Sequence, residues 1–161
     1  MHRITLTDWL VLFGLIVLAQ GAGLLGSLAM NATSAAWYAS LTLPVLTPPA
    51  WLFGPAWTLL YVLMGVAAFI VWRSRHRSGA ELALVLFVVQ LVLNALWSVL
   101  FFGMQSVALC LAEIALLWLA ILATIVAFAR VSKVAAWLLV PYLLWVTFAA
   151  YLTFEIWRLN G

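Results

Sequence analysis

The stretch WYASLTLPVLTPPAWLFGPAWTLLY, from Trp37 to Tyr61, leads from an aromatic pair through four prolines into a long apolar run. Proline fixes φ and has no N–H, so Pro44, Pro48 and Pro49 predict a stiff, extended connection with few hydrogen bonds. Pro55 is expected in the first turn of a helix. The large rings of this stretch suit either a membrane interface or the rim of an aromatic pocket, and the stretch alone does not choose between them. These rings belong to Trp37, Tyr38, Trp51 and Trp57.

The composition of the whole chain indicates a membrane protein. Of its 161 residues, 69% are apolar and 7% are charged, and the mean hydropathy is +1.25, which would leave a soluble domain without a polar face. A helix needs about 20 apolar residues to cross a bilayer core of about 30 Å. Five such runs occur, at about 8–30, 51–72, 80–103, 106–129 and 134–157. They predict one all-α membrane domain over residues 1–161, a bundle of five transmembrane helices; whether the proline-rich loop caps an internal pocket depends on the polar faces and motifs described below.

Two alternatives to this architecture are weaker. Strands of a membrane β-barrel alternate apolar and polar residues over about ten positions, whereas these runs are continuously apolar for twice that length. The first run could instead be a cleaved signal peptide, because Arg3 precedes it and small residues such as Ala19 and Ala22 could mimic a cleavage site. The uncharged stretch from Trp9 to Met30 is longer than a usual signal core, which favours a retained helix.

The cationic residues predict the orientation in the membrane. Five helices place the N-terminus and the second and fourth connections on one side, with six of the seven Lys and Arg residues there and only Arg158 opposite. The positive-inside rule therefore predicts a cytoplasmic N-terminus, with the proline-rich loop and the C-terminus outside. The run Arg73–Arg77 is interpreted as a contact for anionic lipid headgroups, and no nucleic-acid partner is expected. The six are Arg3, Arg73, Arg75, Arg77, Arg130 and Lys133.

The side chains exclude several kinds of chemistry. His2 and His76 lie outside the predicted spans, so no span offers an imidazole to a metal or a haem iron. Cys110 is the single cysteine, which excludes an intrachain disulfide and a CxxC metal site and indicates a small apolar filler. The spans contain no Ser, His and Asp set and no phosphate-binding glycine loop, so neither a metal site nor a cofactor is expected. Glycines inside the first run are expected to allow close helix packing; they are Gly21, Gly23 and Gly26.

Polar and aromatic residues recur at helical spacing on three of the predicted spans. One face of the third span carries a glutamine, an asparagine and two rings, and the second and fifth spans carry comparable faces. The spacing alone favours interhelical hydrogen bonding and packing, as for an amide that joins two helices. The alternative is that the three faces converge on a mostly apolar cavity in which a few polar groups orient a flat ligand. The faces are Gln90, Asn94, Trp97 and Phe101; Phe53, Trp57 and Tyr61; and Trp145, Ala149 and Leu152.

Three ordered motifs resemble those of the TspO/MBR family, the tryptophan-rich sensory and translocator proteins. They are the opening stretch, QLVLNALWSVLFFG from Gln90 to Gly103, and SKVAAWLLVPYLLWVTFAAYLTFEIWRLN from Ser132 to Asn160. The resemblance implies a pocket, closed by the loop between the first two spans, that binds porphyrins and, in animal members, cholesterol and synthetic drugs. Carried over by motif position, the ligand contacts fall on Tyr38, Trp57, Asn94, Trp97, Phe101, Trp145, Ala149 and Leu152.

Trp57 and Trp145 are the pair expected to matter most, because indole faces can stack on a tetrapyrrole and Ala149 leaves room one turn after Trp145. With no histidine in the spans, a metal-free porphyrin such as protoporphyrin IX is the natural ligand, and haem could enter without axial coordination. Family members commonly form homodimers. Small residues on the third span, Ala83 and Ala95 with Gly103 at its end, could let two copies pack closely.

The chain departs from the family's motifs in its last span. Thr153 stands where many members have an asparagine, which removes an amide that could bridge helices. The cholesterol motif of animal members is damaged, because Phe154 replaces its tyrosine and Tyr151 lies too far from Arg158. We therefore expect weak sterol binding.

Two carboxylates inside the predicted spans are kept out of the site. Glu113 lies about two turns into the fourth span, which favours snorkelling or a helix-start role over a proton relay. Glu155 is expected to pair with Arg158, three residues later.

Two classes of function follow. One is a membrane protein that binds porphyrins as a sensor, regulator or transporter. The other is an enzyme that degrades protoporphyrin in light and uses Trp57 and Trp145 as its photochemical residues, as is associated with some bacterial members. The absence of an ordinary catalytic acid, base or nucleophile favours the binding protein. A translocator for sterols or lipids is a further alternative, and helical spans favour the bacterial inner membrane.

Overall fold

The computed structural model describes residues 5–28 and 31–161, and this part of the chain folds into six α-helices. Five of them are long and apolar enough to cross a membrane, when the π-helical turn Val99–Gly103 is counted with the helix that it extends. The predicted five-span helical bundle is confirmed, and the described boundaries differ from the predicted ones by a few residues. The helices are α1 (Leu6–Leu28), α2 (Ala32–Ser40), α3 (Ala50–Arg73), α4 (Ala80–Ser98), α5 (Val107–Val131) and α6 (Lys133–Asn160).

The five long helices form a closed ring. Each helix contacts its two neighbours in the order α1, α3, α6, α5, α4 and back to α1, and α3 also touches α4 across the ring. The short helix α2 lies outside this ring and contacts the π-helical turn at the end of α4. His2 and Arg3, on which the predicted orientation partly depends, lie outside the described residues.

The core lies between α3, α4, α5 and α6. Its largest fully buried side chains include Phe87 of α4, Phe128 of α5 and Tyr142 of α6, and the rings of Phe87 and Phe128 are 6.2 Å apart. Met64 of α3 fills the centre of the same cluster. Because lipid tails are as apolar as these side chains, close packing and a few hydrogen bonds between helices hold such a bundle together.

Glycines set the distance between α1 and its neighbours. A Cβ atom on Gly65 would lie 2.7 Å from the Cα atom of Ile16, so the backbones of α3 and α1 cross in close contact there. Gly23 meets the ring of Tyr61, and Gly26 meets the side chain of Ser98. The predicted packing role is confirmed for these two and is wrong for Gly21, because a Cβ atom there would have no neighbour within 4 Å.

The connection between α1 and α3 differs from the expected extended loop. Trp37 and Tyr38 lie on the helix α2, which begins at a capping box in which Asn31 and Ser34 exchange side-chain-to-backbone hydrogen bonds of 3.0 and 2.8 Å. The described part after Ser40 is irregular, and it contains one turn in which Thr47 N–H donates to the Pro44 carbonyl at 3.0 Å.

The expected place of Pro55 is also wrong. Helix α3 begins at Ala50, so Pro55 lies in its second turn and not in its first. The carbonyl of Trp51, four residues earlier, therefore has no N–H donor from this turn. Pro141 lies inside α6 in the same way.

Candidate functional site

Aromatic rings from α3 and α6 meet below the proline-rich loop. We call them the tryptophan cluster; Phe53, Trp57 and Trp145 are half-buried, and Tyr61 and Tyr142 are buried. The indoles of Trp57 and Trp145 lie edge to face, with centroids 6.4 Å apart and planes at 81°. Trp57 also stacks on Tyr61, at 5.3 Å and 26°, and meets the edge of Tyr142 at 6.2 Å. Phe53 contacts Trp145 at 6.2 Å. The structure therefore brings the predicted faces of the second and fifth spans together.

Asn94 of α4 closes the tryptophan cluster from below. The hydroxyl of Tyr61 donates to Asn94 Oδ1 at 2.6 Å, and Asn94 Nδ2 donates to the hydroxyl of Tyr142 at 3.1 Å. One amide thus joins α3, α4 and α6, and the interpretation of Asn94 as an interhelical hydrogen bond is confirmed. Its contact with a ligand stays a prediction.

A second group of rings lies where α2 covers the end of α4, and we call Trp37, Tyr38, Trp97, Phe101 and Phe102 the cap cluster. Trp97 stacks on Phe101 at 4.9 Å and 12°. Trp37 and Tyr38 of α2 meet the edge of Phe101 at 5.3 and 6.2 Å. Burial raises the pKa of the Tyr38 hydroxyl, which keeps it neutral near pH 7.

Trp97 of the cap cluster packs against both the smaller core around Phe101 and the main core, against which Trp57 and Trp145 also pack. The predicted contacts Ala149 and Leu152 lie on α6 beyond Trp145, half-buried and buried respectively. Thr153 donates to the carbonyl of Ala149 in its own helix at 2.8 Å. Five of the eight predicted contacts are members of the two clusters, Asn94 is bonded to one of them, and Ala149 and Leu152 follow Trp145 on α6; that these residues bind a ligand stays a prediction.

Sequence reasoning missed Tyr142 as a member of this region. A tyrosine in the middle of an apolar run, next to Pro141, was the available signal, because a buried hydroxyl usually has a partner. Trp37 and Phe102 were likewise absent from the predicted contacts. Trp51 faces outward with 73% of its surface exposed, so this ring suits the membrane interface and not the pocket rim.

The loop is fastened to the end of α6. Thr42 N–H donates to Asn160 Oδ1 at 2.8 Å, and Asn160 Nδ2 donates back to the Thr42 carbonyl at 3.0 Å. This two-point contact spans 118 positions of the chain. It holds the irregular segment over the cap cluster, as expected of a stiff cover.

Two cavities lie away from the tryptophan cluster and the cap cluster. One of about 470 Å³ is lined by Asp8, Arg73, Arg75 and His76 among others, and a second of about 320 Å³ by Phe69, Ile70, Arg73 and Ser74. Both are at the opposite end of the bundle. In the tryptophan cluster the rings contact one another, with Trp57 5.3 Å from Tyr61 and 6.4 Å from Trp145, so a flat ligand between them needs the rings to separate.

Glu113 of α5 is buried in the bundle. Its side chain is 5% exposed, and neither carboxyl oxygen has a hydrogen-bond partner among the described residues. The expected snorkelling role is wrong, because the side chain points inward and not along the helix toward water. Gln90 Oε1 and Trp97 Nε1 of α4 are also buried without a partner in the described part of the chain.

Two further expectations have opposite outcomes. The pair of Arg158 with Glu155 is confirmed at 2.6 Å. Ala83 is wrong as a dimer contact, because it is fully buried between helices of one chain, and Ala95 packs against the same core. Of the three small residues, Gly103 is exposed.

Comparison with known proteins gives one consistent result. The family model of the TspO/MBR family matches residues 13–158. The chain is 46% identical over 146 residues to the tryptophan-rich protein TspO of Chlorobaculum tepidum, covering 90% of this chain and 92% of that protein. It is 42% identical over 126 residues to the protein CrtK of Rhodobacter capsulatus, covering 78% and 79%. It is 35% identical over 154 residues to the translocator protein of Homo sapiens, covering 94% and 91%.

Proposed function

This chain belongs to the TspO/MBR family of membrane sensory and translocator proteins, and we propose that it binds tetrapyrroles such as protoporphyrin IX and acts as their sensor, regulator or transporter. It is a multi-pass integral membrane protein. The observation that carries the proposal is the meeting of Trp57 and Trp145 from two different helices under the loop. Two half-buried indoles, with a hydrogen-bonded floor beneath them, are suited to hold a flat conjugated ring.

Binding requires the tryptophan cluster to open. Trp57 now stacks on Tyr61, and a tetrapyrrole would replace that ring-on-ring contact with its own. The bonds from Asn94 to Tyr61 and Tyr142 join three helices beneath the space that the indoles would open. The loop fastened at Asn160 would then close over the ligand and exclude lipid and water.

Titration with protoporphyrin IX in the dark tests the proposal. Saturable quenching of tryptophan fluorescence is expected in the wild type and should weaken in a Trp57→Phe, Trp145→Phe double variant. The matched control is Trp51→Phe, Trp137→Phe, which removes two indoles from the same two helices at positions that are 73% and 72% exposed. Equal loss of binding in both double variants would refute the assignment of the site.

The second candidate function is light-dependent breakdown of the bound porphyrin. The stack of Trp57 on Tyr61 favours it, because the indole could pass an electron to the excited porphyrin and take one back, so that it is unchanged overall. In the net reaction molecular oxygen oxidises the porphyrin ring, is itself reduced, and supplies the oxygen atoms of the product. Illumination of the complex separates the two functions. A sensor or carrier returns the porphyrin spectrum unchanged, whereas an enzyme gives a product band that disappears in the Trp57→Phe, Trp145→Phe variant.

Sterol binding is the third candidate, and the surface around its damaged motif argues against it. Tyr151 and Phe154 are both partly exposed on the outside of α6, and the guanidinium of Arg158 is paired with Glu155. A photoactivatable sterol should therefore label the protein poorly. Saturable submicromolar labelling would make this candidate the leading one.

We also propose the membrane in which the protein lies, its orientation there and its oligomeric state. The protein lies in the bacterial inner membrane with its N-terminus in the cytoplasm, in contact with anionic lipids, and forms a homodimer. The exposed apolar face of α4, which includes Val85 and Val92, supports an interface there in place of Ala83. A tag at Gly161 that is labelled only from the cytoplasmic side would contradict the orientation, and a monomeric mass in lipid nanodiscs would contradict the dimer.

A further inference from the structure

Three residues form a directed chain of hydrogen bonds across the middle of the bundle. The Tyr61 hydroxyl donates a hydrogen bond to Asn94 Oδ1, and Asn94 Nδ2 in turn donates one to the hydroxyl oxygen of Tyr142. A phenol oxygen that accepts a hydrogen bond still has its own O–H to donate. That O–H has no acceptor among the described residues, so the chain ends on an unused donor.

Two side chains inside the bundle have buried oxygen acceptors without a partner among the described residues, Glu113 and Gln90. Of these two, the Glu113 carboxyl is the one that acts electrostatically on the Tyr142 hydroxyl. A water molecule that bridges the Tyr142 hydroxyl and the carboxyl would satisfy both groups. The unused donor of Tyr142 and the unused acceptors of Glu113 are therefore complementary.

The surroundings of Glu113 favour its neutral form. The titratable groups that interact with it are Cys110 on its own helix and Tyr142 on α6, both of which are uncharged. The ion pairs of the described residues, Asp8 with Arg73 and Glu155 with Arg158, lie at the ends of the bundle. A buried carboxylate without a cation or a hydrogen bond is costly, so the site holds a proton.

We propose that Glu113 is a buried proton-binding site, a neutral carboxylic acid joined through Tyr142 and Asn94 to Tyr61. Because Trp57 stacks on Tyr61, any ligand that moves Trp57 also moves the first hydroxyl of the chain. The protein then has a route by which occupancy of the tryptophan cluster changes the hydrogen bonding, and so the proton, at Glu113. This last link rests on the proposed function, whereas the proton site and its chain do not.

Isotope-edited infrared spectroscopy of the ligand-free protein in lipid nanodiscs tests the proton site. The chain has only four acidic residues, and labelling with ¹³C-glutamate marks Glu81, Glu113 and Glu155. At neutral pH the wild type should show one labelled C=O band of a protonated acid, which Glu113→Gln abolishes. The matched control, Glu155→Gln, should leave the band unchanged because Glu155 is ionised beside Arg158. No protonated band, or a band that survives Glu113→Gln, would overturn the proposal.

The chain is tested by the same band. Tyr142→Phe removes the donor next to Glu113 and should shift the C=O band to higher frequency. Tyr61→Phe, two bonds away, should give a smaller shift in the same band. If Tyr142→Phe fails to fold, Tyr61→Phe still tests the chain, because the hydroxyl that it removes is bonded to Asn94 at the far end of the chain from Glu113. An unshifted band in folded variants would overturn the chain, and no porphyrin is needed for any of these outcomes.

Discussion

Loss of the Asn160 amide should loosen the loop that covers the cap cluster. Asn160 accepts from Thr42 N–H at 2.8 Å and donates to the Thr42 carbonyl at 3.0 Å. Each bond contributes about 0.5–1.5 kcal/mol net, so Asn160→Ala should cost the closed loop about 1–3 kcal/mol. Since about 1.4 kcal/mol corresponds to a factor of ten, the open fraction should rise roughly 5- to 150-fold.

Hydrogen exchange of the loop measures that open fraction. The amide of Thr42 can exchange only when its bond to Asn160 is broken, so its rate should rise by the same factor. Asn160→Asp keeps the acceptor for Thr42 N–H and loses the donor, and it should give an intermediate rate. Leu159→Ala, a change to a partly exposed neighbour on α6, is the control and should have no effect.

Two results would refute this reasoning. Unchanged exchange at Thr42 in Asn160→Ala would mean that other contacts hold the loop. Faster exchange throughout α4 and α6 as well would mean that the substitution destabilises the bundle as a whole, and not the fastening of the loop.

Four other substitutions test the packing of the bundle, each by thermal unfolding in the same detergent. Gly65→Ala places a Cβ atom 2.7 Å from the backbone of Ile16 and should destabilise the protein by about 1–3 kcal/mol. Gly21→Ala meets no neighbour and should be neutral or stabilise by up to about 1 kcal/mol, and equal loss in both would refute the close crossing of α1 and α3. Asn94→Leu strands two buried tyrosine hydroxyls and should cost about 1–3 kcal/mol, so an unchanged midpoint would contradict the hydrogen-bonded floor. Arg77→Ala removes a 2.6 Å bond to the last carbonyl of α5 and should cost about 1 kcal/mol, which an unchanged midpoint would contradict.

The number and length of the spans could be predicted because the thickness of the bilayer fixes how many apolar residues a helix needs. The helix α2 was missed because its nine residues are weakly apolar and follow no such length rule. Its signal was local: Asn31 followed three residues later by Ser34, the pattern of a capping box. The prolines that follow α2 predict only the irregular part of the connection.

The side of each helix that faces the core was harder to predict. In a soluble helix the polar residues mark the outer face, but these helices are apolar all round, so periodicity does not separate lipid from core. Ala83 was therefore expected at a dimer surface and is buried within the chain. Glu113 was expected near water for the same reason. That the aromatic faces of the second and fifth spans point into the bundle could be predicted, because polar groups on such faces need partners inside it. Asn94, bonded to Tyr61 and Tyr142, is the clearest case.

The end of α4 shows where the bundle departs from plain helix packing. Its last turn, Val99–Gly103, is π-helical, and the next segment passes through Gln105 with a left-handed φ of 53°. Within this wider turn two consecutive rings, Phe101 and Phe102, both lie 6.2 Å from Tyr38. π-Helical turns and left-handed non-glycine residues are costly, and they are common at functional sites. The strained backbone therefore lies under the covering loop, close to Trp97 of the cap cluster. Its position favours the proposed binding role of this region over simple helix packing.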